Sequence, residues 1–254
     1  MKIENISEFG LRQNDVRLFA LSDFPEVSQG IDVANVIVEK AGEIGGLQNG
    51  DIVFIASKII SKAENLIVDL RNVVVGDEAV ELSKISGKPA SVCQVIIDNC
   101  QNVHIVNDGK TILAENSQRI LSTSGGIDKL DEHHVTLLPT DPDGIATVIR
   151  EKINTEIDVD VAVVIVDSDG LPQWKGAISI PIGSSGIAPI RSTVGYDPIL
   201  KTPKQQDENV IFMLANAAGY LLGQRGKGTP VVILRGDISE RNSSLGVKDA
   251  IHGN

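Results

Sequence analysis

The sequence predicts a mixed α/β (α+β) fold, because short runs of β-branched residues alternate along the chain with runs whose apolar residues have helical spacing. Buried strands are expected at Ile52–Ala56, within residues 160–170 and at 230–234, and helical spacing marks residues 33–44 and 209–222. No apolar run approaches the roughly 18 residues that a membrane helix needs. These observations together favour a globular domain with an aliphatic core.

Turn and cap signals predict the elements between these strands and helices. Residues 77–100 predict one or two helices interrupted at Gly87-Lys88-Pro89, and residues 103–122 predict two strands around an Asp108-Gly109 turn. In TDPDG we expect turn and cap residues rather than a metal site, with Asp143 capping the helix that follows. Residues 177–187 predict a strand that ends in a glycine loop, and residues 188–206, with three prolines, predict irregular structure.

Composition excludes several classes of function. The 254 residues hold 23 Lys and Arg against 34 Asp and Glu, a net charge of −11. The negative electrostatic potential of such a chain repels nucleic acid and anionic membrane surfaces, so neither is expected as a partner. Cys93 and Cys100 lie about 10 Å apart along the predicted helix, too far to bridge, and indicate free thiols in a reducing cytoplasm.

The segment GQRGKGT invites a phosphate-binding interpretation, because glycine amides with Arg225 and Lys227 can surround phosphate oxygens. It is not a Walker A loop, since two residues rather than four separate its first glycines and Pro230 begins a strand. The glycines also follow a helix, so a structural C-cap is the alternative. Both interpretations stay open on local grounds.

Acidic and basic side chains follow two of the predicted strands. Asp167, Ser168 and Asp169 come at the carboxyl end of a buried strand and offer the hard oxygen ligands that Mg²⁺ or Mn²⁺ prefers, with an Asx turn as the alternative. Lys58 and Lys62 follow Ile52–Ala56 and could hold a polyphosphate, or form a solvated helix face. The four histidines have no ligand spacing, so a zinc site is not expected.

Several segments occur in one order between residues 17 and 236: FPEV followed by G-x-D, ASKIISKAE, GGID, LLPTDPDG, VDSDG, IPIGSSGI and LLGQRGKGTPVVILRG. As an ordered set they resemble the coenzyme F420-0:L-glutamate ligase (gamma-glutamyl ligase) family. The resemblance implies a two-part α/β fold with mixed sheets, a catalytic unit over residues 1–236 that can comprise two intertwined subdomains, and a homodimer. The composition of residues 237–254 predicts a polar C-terminal tail.

The resemblance also implies the chemistry. Enzymes of this family use GTP to activate a carboxylate as an acyl phosphate, which the amine of L-glutamate attacks, and they need Mg²⁺ or Mn²⁺, two ions per site, with K⁺ as a further candidate ion. It implies metal ligands at Asp128, Asp167, Ser168 and Gln224, and catalytic roles for Asp128, Asp167 and Lys62. The implied nucleotide contacts are Phe24, Pro25, Glu26, Val27, Ser57, Lys58, Lys62, Asp131, Leu222, Gly223, Gln224, Arg225, Gly226, Lys227, Gly228 and Thr229.

Departures from the family pattern occur on both sides of the implied site. On the acceptor side, where the family reads G-R-P-x-R, this chain has Gly170-Leu171-Pro172-Gln173-Trp174. On the nucleotide side, Asp131 stands where the family has asparagine. Arginine pairs suit the phosphodiester and carboxylates of F420-0. The resemblance makes F420-0 the first candidate acceptor. The missing arginines point to the alternatives, which are a different carboxylate, for example a folate-like one, or an inactive nucleotide-binding regulatory protein.

Overall fold

A computed structural model describes residues 15–106, 110–170, 175–224, 229–236 and 240–252. The helices are α1 (Val33–Ala41), α2 (Ser57–Ala63), α3 (Asp77–Ser86), α4 (Ala90–Asn99), α5 (Pro142–Ile157) and α6 (Val210–Leu222). The strands are β1 (Arg17–Ala20), β2 (Ile52–Ala56), β3 (Ile67–Asp69), β4 (Gln101–Val106), β5 (Thr111–Glu115), β6 (Leu121–Thr123), β7 (Asp128–Lys129), β8 (His134–Thr136), β9 (Ala162–Gly170), β10 (Ala177–Ser185), β11 (Ile190–Asp197), β12 (Thr202–Asn209) and β13 (Val231–Arg235).

The centre of the fold is a five-stranded mixed sheet with the order β1-β13-β2-β9-β10. β2 and β9 run parallel, and the other neighbours are antiparallel. The parallel pairing ends at Ala56 opposite Val166, so β9 continues beyond the last residue of β2. Asp167 is the first residue of β9 beyond the region that pairs with β2. The predicted mixed α/β class is confirmed.

Both faces of this sheet are covered, which explains why its inner strands read as continuous apolar runs. In β2, Val53 and Ile55 pack with α1, α2 and α5, whereas Ile52 and Phe54 pack with α6 on the opposite face. A separate apolar cluster joins α3 and α4 to β5 and β8. Two smaller sheets, β3-β8-β7 and β4-β5-β6, belong to that part of the chain, which is inserted between α2 and α5.

The small residues of β10 allow α5 to lie directly on the strand. A Cβ atom at Gly183 would lie 2.4 Å from the carbonyl carbon of Pro142, and one at Gly186 would lie 2.5 Å from Nε of Arg150. Because protein interiors are close-packed, the Pro142 backbone cannot yield to an added methyl group at Gly183, and a methyl group at Gly186 would displace the Arg150 side chain. The glycines of IPIGSSGI therefore set the approach of helix and strand.

Replacing Gly183 with alanine should lower the free energy of unfolding by about 2–3 kcal/mol, because the methyl group would force α5 away from β10. Gly195→Ala is the matched control: it is also a strand glycine, and its nearest neighbour, the carbonyl oxygen of Lys204, would be 3.9 Å away. The control should change the free energy of unfolding by no more than about 0.5 kcal/mol. Denaturant unfolding measures both, and equal effects would contradict the packing argument.

The predicted cap of α5 is wrong by two residues. Asp141 is the N-cap and accepts a hydrogen bond from the Gly144 amide, as expected when Pro142 occupies the first helical position. Asp143 instead accepts hydrogen bonds from the amides of Ser184 at 2.7 Å and Val247 at 2.9 Å. This carboxylate thus joins α5, β10 and the C-terminal segment, a long-range role that no local pattern indicates.

The expectation of irregular structure at 188–206 is also wrong. β11 and β12 form a separate two-stranded antiparallel hairpin in which Tyr196 lies opposite Pro203. Both faces of the hairpin are exposed along nearly its whole length, so its sequence lacks the apolar alternation by which a half-buried strand is recognised. Proline is tolerated there because edge strands leave amide positions unpaired.

The predicted helices and strands at residues 77–122 can be compared with the structure; β4 and β5 are the two predicted strands, and β6 is a third strand that was not expected. Residues 77–100 form the two helices α3 and α4, while the expected Asp108-Gly109 turn lies outside the described residues. Cys93 and Cys100 are free thiols, and burial raises the pKa of Cys100 to about 11. Among the described residues, none of the helices has the length and apolar character required to cross a membrane.

Candidate functional site

A cavity of about 430 Å³ lies at the edge of the central sheet where β2 ends and β9 continues. It brings together the FPEV segment, the start of α2, the residue after the GGI turn, the end of β9 and the end of α6. The lining residues are Phe24, Pro25, Glu26, Val27, Ala56, Ser57, Lys58, Ile59, Lys62, Asp128, Val166, Asp167, Ser168, Ser179, Leu222, Gly223, Gln224, Thr229 and Pro230.

The first wall of the cavity follows from the sharp transition between β2 and α2. β2 ends at Ala56, and the next residue, Ser57, already belongs to the helix. Ser57 is buried and donates a hydrogen bond from its hydroxyl to Oδ1 of Asp167 at 2.7 Å. Lys58 and Lys62 lie four residues apart on α2 and therefore on one side of it, with both side chains at the cavity.

Asp167 is a buried carboxylate with little compensation, since its residue is only 8% exposed. Burial disfavours its charged form and raises its pKa from 3.8 to about 7; the Ser57 hydrogen bond opposes this, and the neighbouring Asp128 charge adds to it. A carboxylate in such surroundings is stabilised by a cation. The geometry therefore fits a metal ligand at this position.

Asp128 lies at the same cavity and belongs to β7, in the segment inserted between α2 and α5. It follows a tight turn at Ser124–Gly126, in which Gly126 has a φ of +75° that side chains rarely adopt. A Cβ atom at Gly126 would also lie 2.3 Å from Leu138 Cδ1 and 3.2 Å from Asp167 Oδ2. Glycine is thus required for the turn to pass this close to Asp167. Asp128 forms an ion pair with Lys58, Nζ to Oδ2, at 2.8 Å.

Lys62 forms the second ion pair of the cavity, with Glu26 of the FPEV segment. The Lys62 side chain is 17% exposed, whereas that of Glu26 is 84% exposed at the rim. Each lysine of the cavity thus has a carboxylate partner in this structure. Phosphate oxygens entering the cavity would compete with those carboxylates for the two ammonium groups.

The opposite wall is built by α6 and β10. Ser168 lies opposite Ser179 in the β9–β10 register, so both side chains point to the same face. The Asn216 side chain of α6 binds the backbone of Ser179 twice, accepting from its amide at 3.1 Å and donating to its carbonyl at 2.9 Å. Sequence reasoning missed Ser179, because its place beside Ser168 depends on the register of the two strands.

The end of α6 supplies the residues around the glycine-rich segment. Leu222, Gly223, Gln224 and Thr229 line the cavity, and the Thr229 hydroxyl donates to the carbonyl of Leu221 at 3.0 Å. Thr229 therefore satisfies a helix-end carbonyl while facing the cavity. The predicted contacts at Arg225, Gly226, Lys227 and Gly228 lie outside the described residues, as does Trp174.

Two acidic candidates lie elsewhere. The buried Asp169 uses its Oδ1 atom to accept hydrogen bonds from the amides of Thr123 at 2.9 Å and Gly170 at 2.7 Å, which ties β6 to β9. Asp131 does not line the cavity; its carboxylate accepts from the amide of His134 and contacts that ring's Nδ1 at 2.8 Å. The structure therefore does not bring these two carboxylates to the cavity.

The implied metal ligands at the cavity are the carboxylates of Asp128 and Asp167, the hydroxyl of Ser168 and the amide oxygen of Gln224. The third carboxylate that lines the cavity, that of Glu26, pairs with Lys62. Among the described residues, no group of three His, Cys, Asp or Glu side chains could hold a metal ion. This composition suits Mg²⁺ or Mn²⁺, because such ions commonly take one or two carboxylates and complete their coordination with water and substrate phosphates. It does not suit a metal held entirely by protein.

A second cavity of about 580 Å³ lies among α1, α2 and α5. Its charged groups serve the fold: Asp32 caps α1 and pairs with Lys152, and Asp141 caps α5. Size alone would favour this cavity. The chemistry favours the smaller one, in which both lysines of α2, Asp128 and Asp167 converge.

Comparison with known proteins bears on this cavity. The F420-0:Gamma-glutamyl ligase family matches residues 23–236. The chain belongs to this family. It is 32% identical to the coenzyme F420:L-glutamate ligase of Methanothermobacter thermautotrophicus over 229 residues, which cover 87% of this chain and 89% of the relative.

Further relatives agree with this membership. The protein of the same name from Methanocaldococcus jannaschii is 35% identical over 193 residues, 75% of this chain and 77% of the relative. That of Methanopyrus kandleri is 31% identical over 215 residues, 83% of each chain. The predicted family is confirmed, and with it the enzyme class, a ligase that forms carbon–nitrogen bonds. Every residue lining the cavity falls within the matched part of this F420-0:gamma-glutamyl ligase family member.

Proposed function

We propose that this chain is a GTP-dependent acid–amino acid ligase, which joins L-glutamate by an amide bond to a carboxylate activated as an acyl phosphate, with F420-0 as acceptor. The observation that carries the proposal is the convergence of Lys58, Lys62, Asp128 and Asp167 in one cavity. These residues come from three separate segments of the chain. The names of the relatives supply the substrates, F420 and L-glutamate.

The charges of the cavity support a nucleoside triphosphate as co-substrate. In an acidic protein, such an anion needs local positive charge, and Lys58 and Lys62 are the cations that line the described part of the cavity. Their present partners, Asp128 and Glu26, are replaceable because both carboxylates are substantially exposed. Phosphate oxygens can therefore take over the ammonium groups. Phe24 and Pro25 offer apolar surface at the same cavity.

Divalent metal is part of the proposal. Asp128 and Asp167 would hold the ion, with Ser168 and Gln224 as further oxygen donors at the cavity. A bound divalent ion supplies Lewis-acid chemistry at phosphate oxygens and offsets the charge that develops during phosphoryl transfer. Ser57 orients the Asp167 carboxylate by its hydrogen bond, and Lys62 would bind a phosphate oxygen as a charged donor. A covalent enzyme nucleophile is not required, because departure of phosphate drives amide formation.

A second acceptor is favoured by one observation. Asn116-Ser117-Gln118 stands where the family resemblance implies a basic segment, and the structure uses two of these side chains internally. Oδ1 of Asn116 accepts from the amides of Gln118 and Ile120, and Nε2 of Gln118 donates to the Pro139 carbonyl at 2.8 Å. Neither side chain replaces an arginine as an anion-binding group. A carboxylate other than F420-0, for example a folate-like one, is therefore the alternative.

Incubation of the protein with GTP, Mg²⁺ or Mn²⁺, L-glutamate and F420-0 should yield phosphate and a product heavier than F420-0 by one or more glutamyl residues. Mass spectrometry of the product and a phosphate assay measure this, and leaving out metal or glutamate should abolish ligation. A product formed only with another carboxylate would select the alternative acceptor. Tight GTP binding without phosphate release for any acceptor would instead support a binding protein.

We extend the proposal to a homodimer in the cytoplasm. Large apolar side chains lie exposed on the β11–β12 hairpin: Val194 at 75%, Tyr196 at 65%, Ile199 at 86% and Leu200 at 71%. Exposed apolar surface on a projecting element favours contact with a second copy. Measurement of the mass in solution tests this, with Ile199→Ser as the variant that should weaken the association.

A further inference from the structure

The hydroxyl of Ser179 has no role in the proposed ligase chemistry. It lines the cavity beside Ser168, and among the residues that the structure describes none forms a hydrogen bond with it. We propose that this hydroxyl donates a hydrogen bond to the carboxylate of the acceptor substrate, which makes Ser179 an acceptor-binding residue. This inference rests on the proposed function, because it requires a carboxylate that attacks the γ-phosphoryl group of a nucleotide in this cavity.

The backbone of Ser179 is held in place by α6. β10 is the last strand of the central sheet, so its outer edge has no neighbouring strand among the described residues. The Asn216 side chain takes that place: its Oδ1 accepts from the Ser179 amide at 3.1 Å, and its Nδ2 donates to the Ser179 carbonyl at 2.9 Å. Nδ2 also donates to the carbonyl of Phe212 at 2.9 Å, which fixes the amide group on its own helix. The backbone that carries the hydroxyl is thus preorganised.

Gly219 allows α6 to lie directly against the Ser179 side chain. A Cβ atom at position 219 would lie 2.0 Å from Oγ of Ser179 and 2.8 Å from its Cβ. Glycine inside a helix is less stable than alanine, and this close approach gives the reason for it in α6. The side chain of Ser179 is therefore packed between helix and strand, while its donor stays available to a ligand in the cavity.

The order of the strands places Ser179 beyond the metal ligands as seen from the nucleotide. The implied nucleotide contacts that line the cavity follow β1 and β2 or precede β13, and these three strands are neighbours. Asp167 and Ser168 belong to β9, the next strand, and Ser179 belongs to β10 beyond it. In phosphoryl transfer the attacking and leaving oxygens lie roughly in line on opposite sides of phosphorus. The attacking carboxylate therefore comes from the β10 side, where Ser179 lies.

A hydroxyl suits a carboxylate that must react. A lysine or arginine would pair with its negative charge, whereas a neutral donor orients one carboxylate oxygen and leaves the other to attack. The attacking oxygen forms a bond to the γ-phosphorus as the bond from phosphorus to the β–γ bridging oxygen breaks. The bonding pair leaves with the nucleoside diphosphate. Ser179 keeps its proton throughout this step.

The same hydrogen bond would act in amide formation. The substrate ammonium first releases one proton to water, and its nitrogen then forms a bond to the acyl carbon. The carbon–oxygen bond to phosphate breaks, and both the bonding pair and the second proton of the nitrogen leave with phosphate. Negative charge develops during this attack on the oxygen that Ser179 binds, and a fixed donor stabilises such charge.

Ser179→Ala tests the inference, because it removes the hydroxyl alone. We expect kcat/KM for F420-0 to fall roughly 10- to 100-fold, as for the loss of a hydrogen bond to a charged group. Calorimetry with GDP and Mg²⁺ present should show weaker binding of F420-0, a readout independent of turnover. The affinity for GTP with Mg²⁺ and the KM for L-glutamate should stay equal. Thermal unfolding should also be unchanged, since the hydroxyl has no described partner to lose.

Hydroxylamine in place of L-glutamate shows which substrate Ser179 serves. Hydroxamate formation from GTP, F420-0 and hydroxylamine should fall by the same factor as ligation of glutamate, because the hydroxyl acts on the acceptor and not on the amine. If the protein ligates a folate instead of F420-0, we expect the same loss in kcat/KM for the folate. A loss confined to the reaction with glutamate would overturn the inference.

Ser185→Ala is the matched control. Ser185 also belongs to β10, and its buried hydroxyl also has no hydrogen-bond partner among the described residues, but it does not line the cavity. The control should leave affinities and rates unchanged. Weakened binding of GTP with Mg²⁺, or unchanged acceptor kinetics, in Ser179→Ala would contradict the inference. If the unchanged protein forms no hydroxamate with any carboxylate, the proposed function itself fails and the inference with it.

Discussion

Replacing Asp167 with asparagine should lower metal-dependent turnover on the order of 1,000-fold while the protein stays folded. The amide removes the negative charge on which the proposed metal site depends, but its oxygen can still accept the hydrogen bond from Ser57. Because burial makes the charged form of Asp167 costly, the substitution should not destabilise the metal-free protein. The loss therefore reports on function rather than on folding.

Phosphate release, metal titration by calorimetry and thermal unfolding together measure this effect. Asp98→Asn is a suitable control, since Asp98 lies on the exposed side of α4, where it accepts a hydrogen bond from Gln94. The control should retain turnover and metal affinity. Asp167→Asn turnover equal to that of the unchanged protein would remove Asp167 from the metal site. Loss of turnover with unchanged metal affinity would assign Asp167 a different catalytic role.

The metal-free protein should lose stability as the pH rises towards neutrality. The pKa of Asp167 is about 7 in the folded chain against 3.8 ordinarily, so between these values the folded state keeps a proton that the unfolded state has released. Its contribution to stability is therefore complete at low pH and is lost as the pH rises through about 7. From about pH 5 to about pH 8 this group should cost about 3 kcal/mol.

Denaturant unfolding of the unchanged protein and of Asp167→Asn, both in chelator, isolates this contribution, since other groups titrate equally in both. The variant should gain about 3 kcal/mol relative to the unchanged protein over that pH range. Mg²⁺ at about pH 8 should stabilise the unchanged protein and not the variant, because a cation offsets the buried charge. A difference in stability that does not vary with pH would contradict the argument.

Local patterns were sufficient for most elements of this fold. The strand at Ile52–Ala56 and the helix at 209–222 follow from apolar composition and periodicity, which act over a few residues. The β11–β12 hairpin could not be predicted, because neither of its faces is buried and its sequence therefore lacks the alternation of apolar and polar residues. The cap of α5 was misassigned because Asp141 and Asp143 are both suitable caps, and only the contacts of Asp143 with Ser184 and Val247 distinguish them.

In the candidate site, too, some residues could be predicted from the sequence and some contacts could not. Ser57, Lys58, Asp128 and Asp167 could be predicted individually, because the residue types and their ordered motifs resemble a known family. The ion pairs of Lys58 with Asp128 and of Lys62 with Glu26 could not be predicted, since each joins segments distant in sequence. Ser179 escaped for a related reason: its place beside Ser168 depends on strand register.

Residue order alone was enough to establish the class of fold, the family and the donor types that suit a metal and a phosphate. Tertiary structure decided which of these donors meet. Asp131 and Asp169 do not line the cavity, and their carboxylates accept hydrogen bonds from backbone amides elsewhere. Ser179, which was not predicted, does line it. The physical reason is that donor chemistry belongs to each residue type, whereas burial, ion pairing and the raised pKa of Asp167 arise only when distant segments share one space.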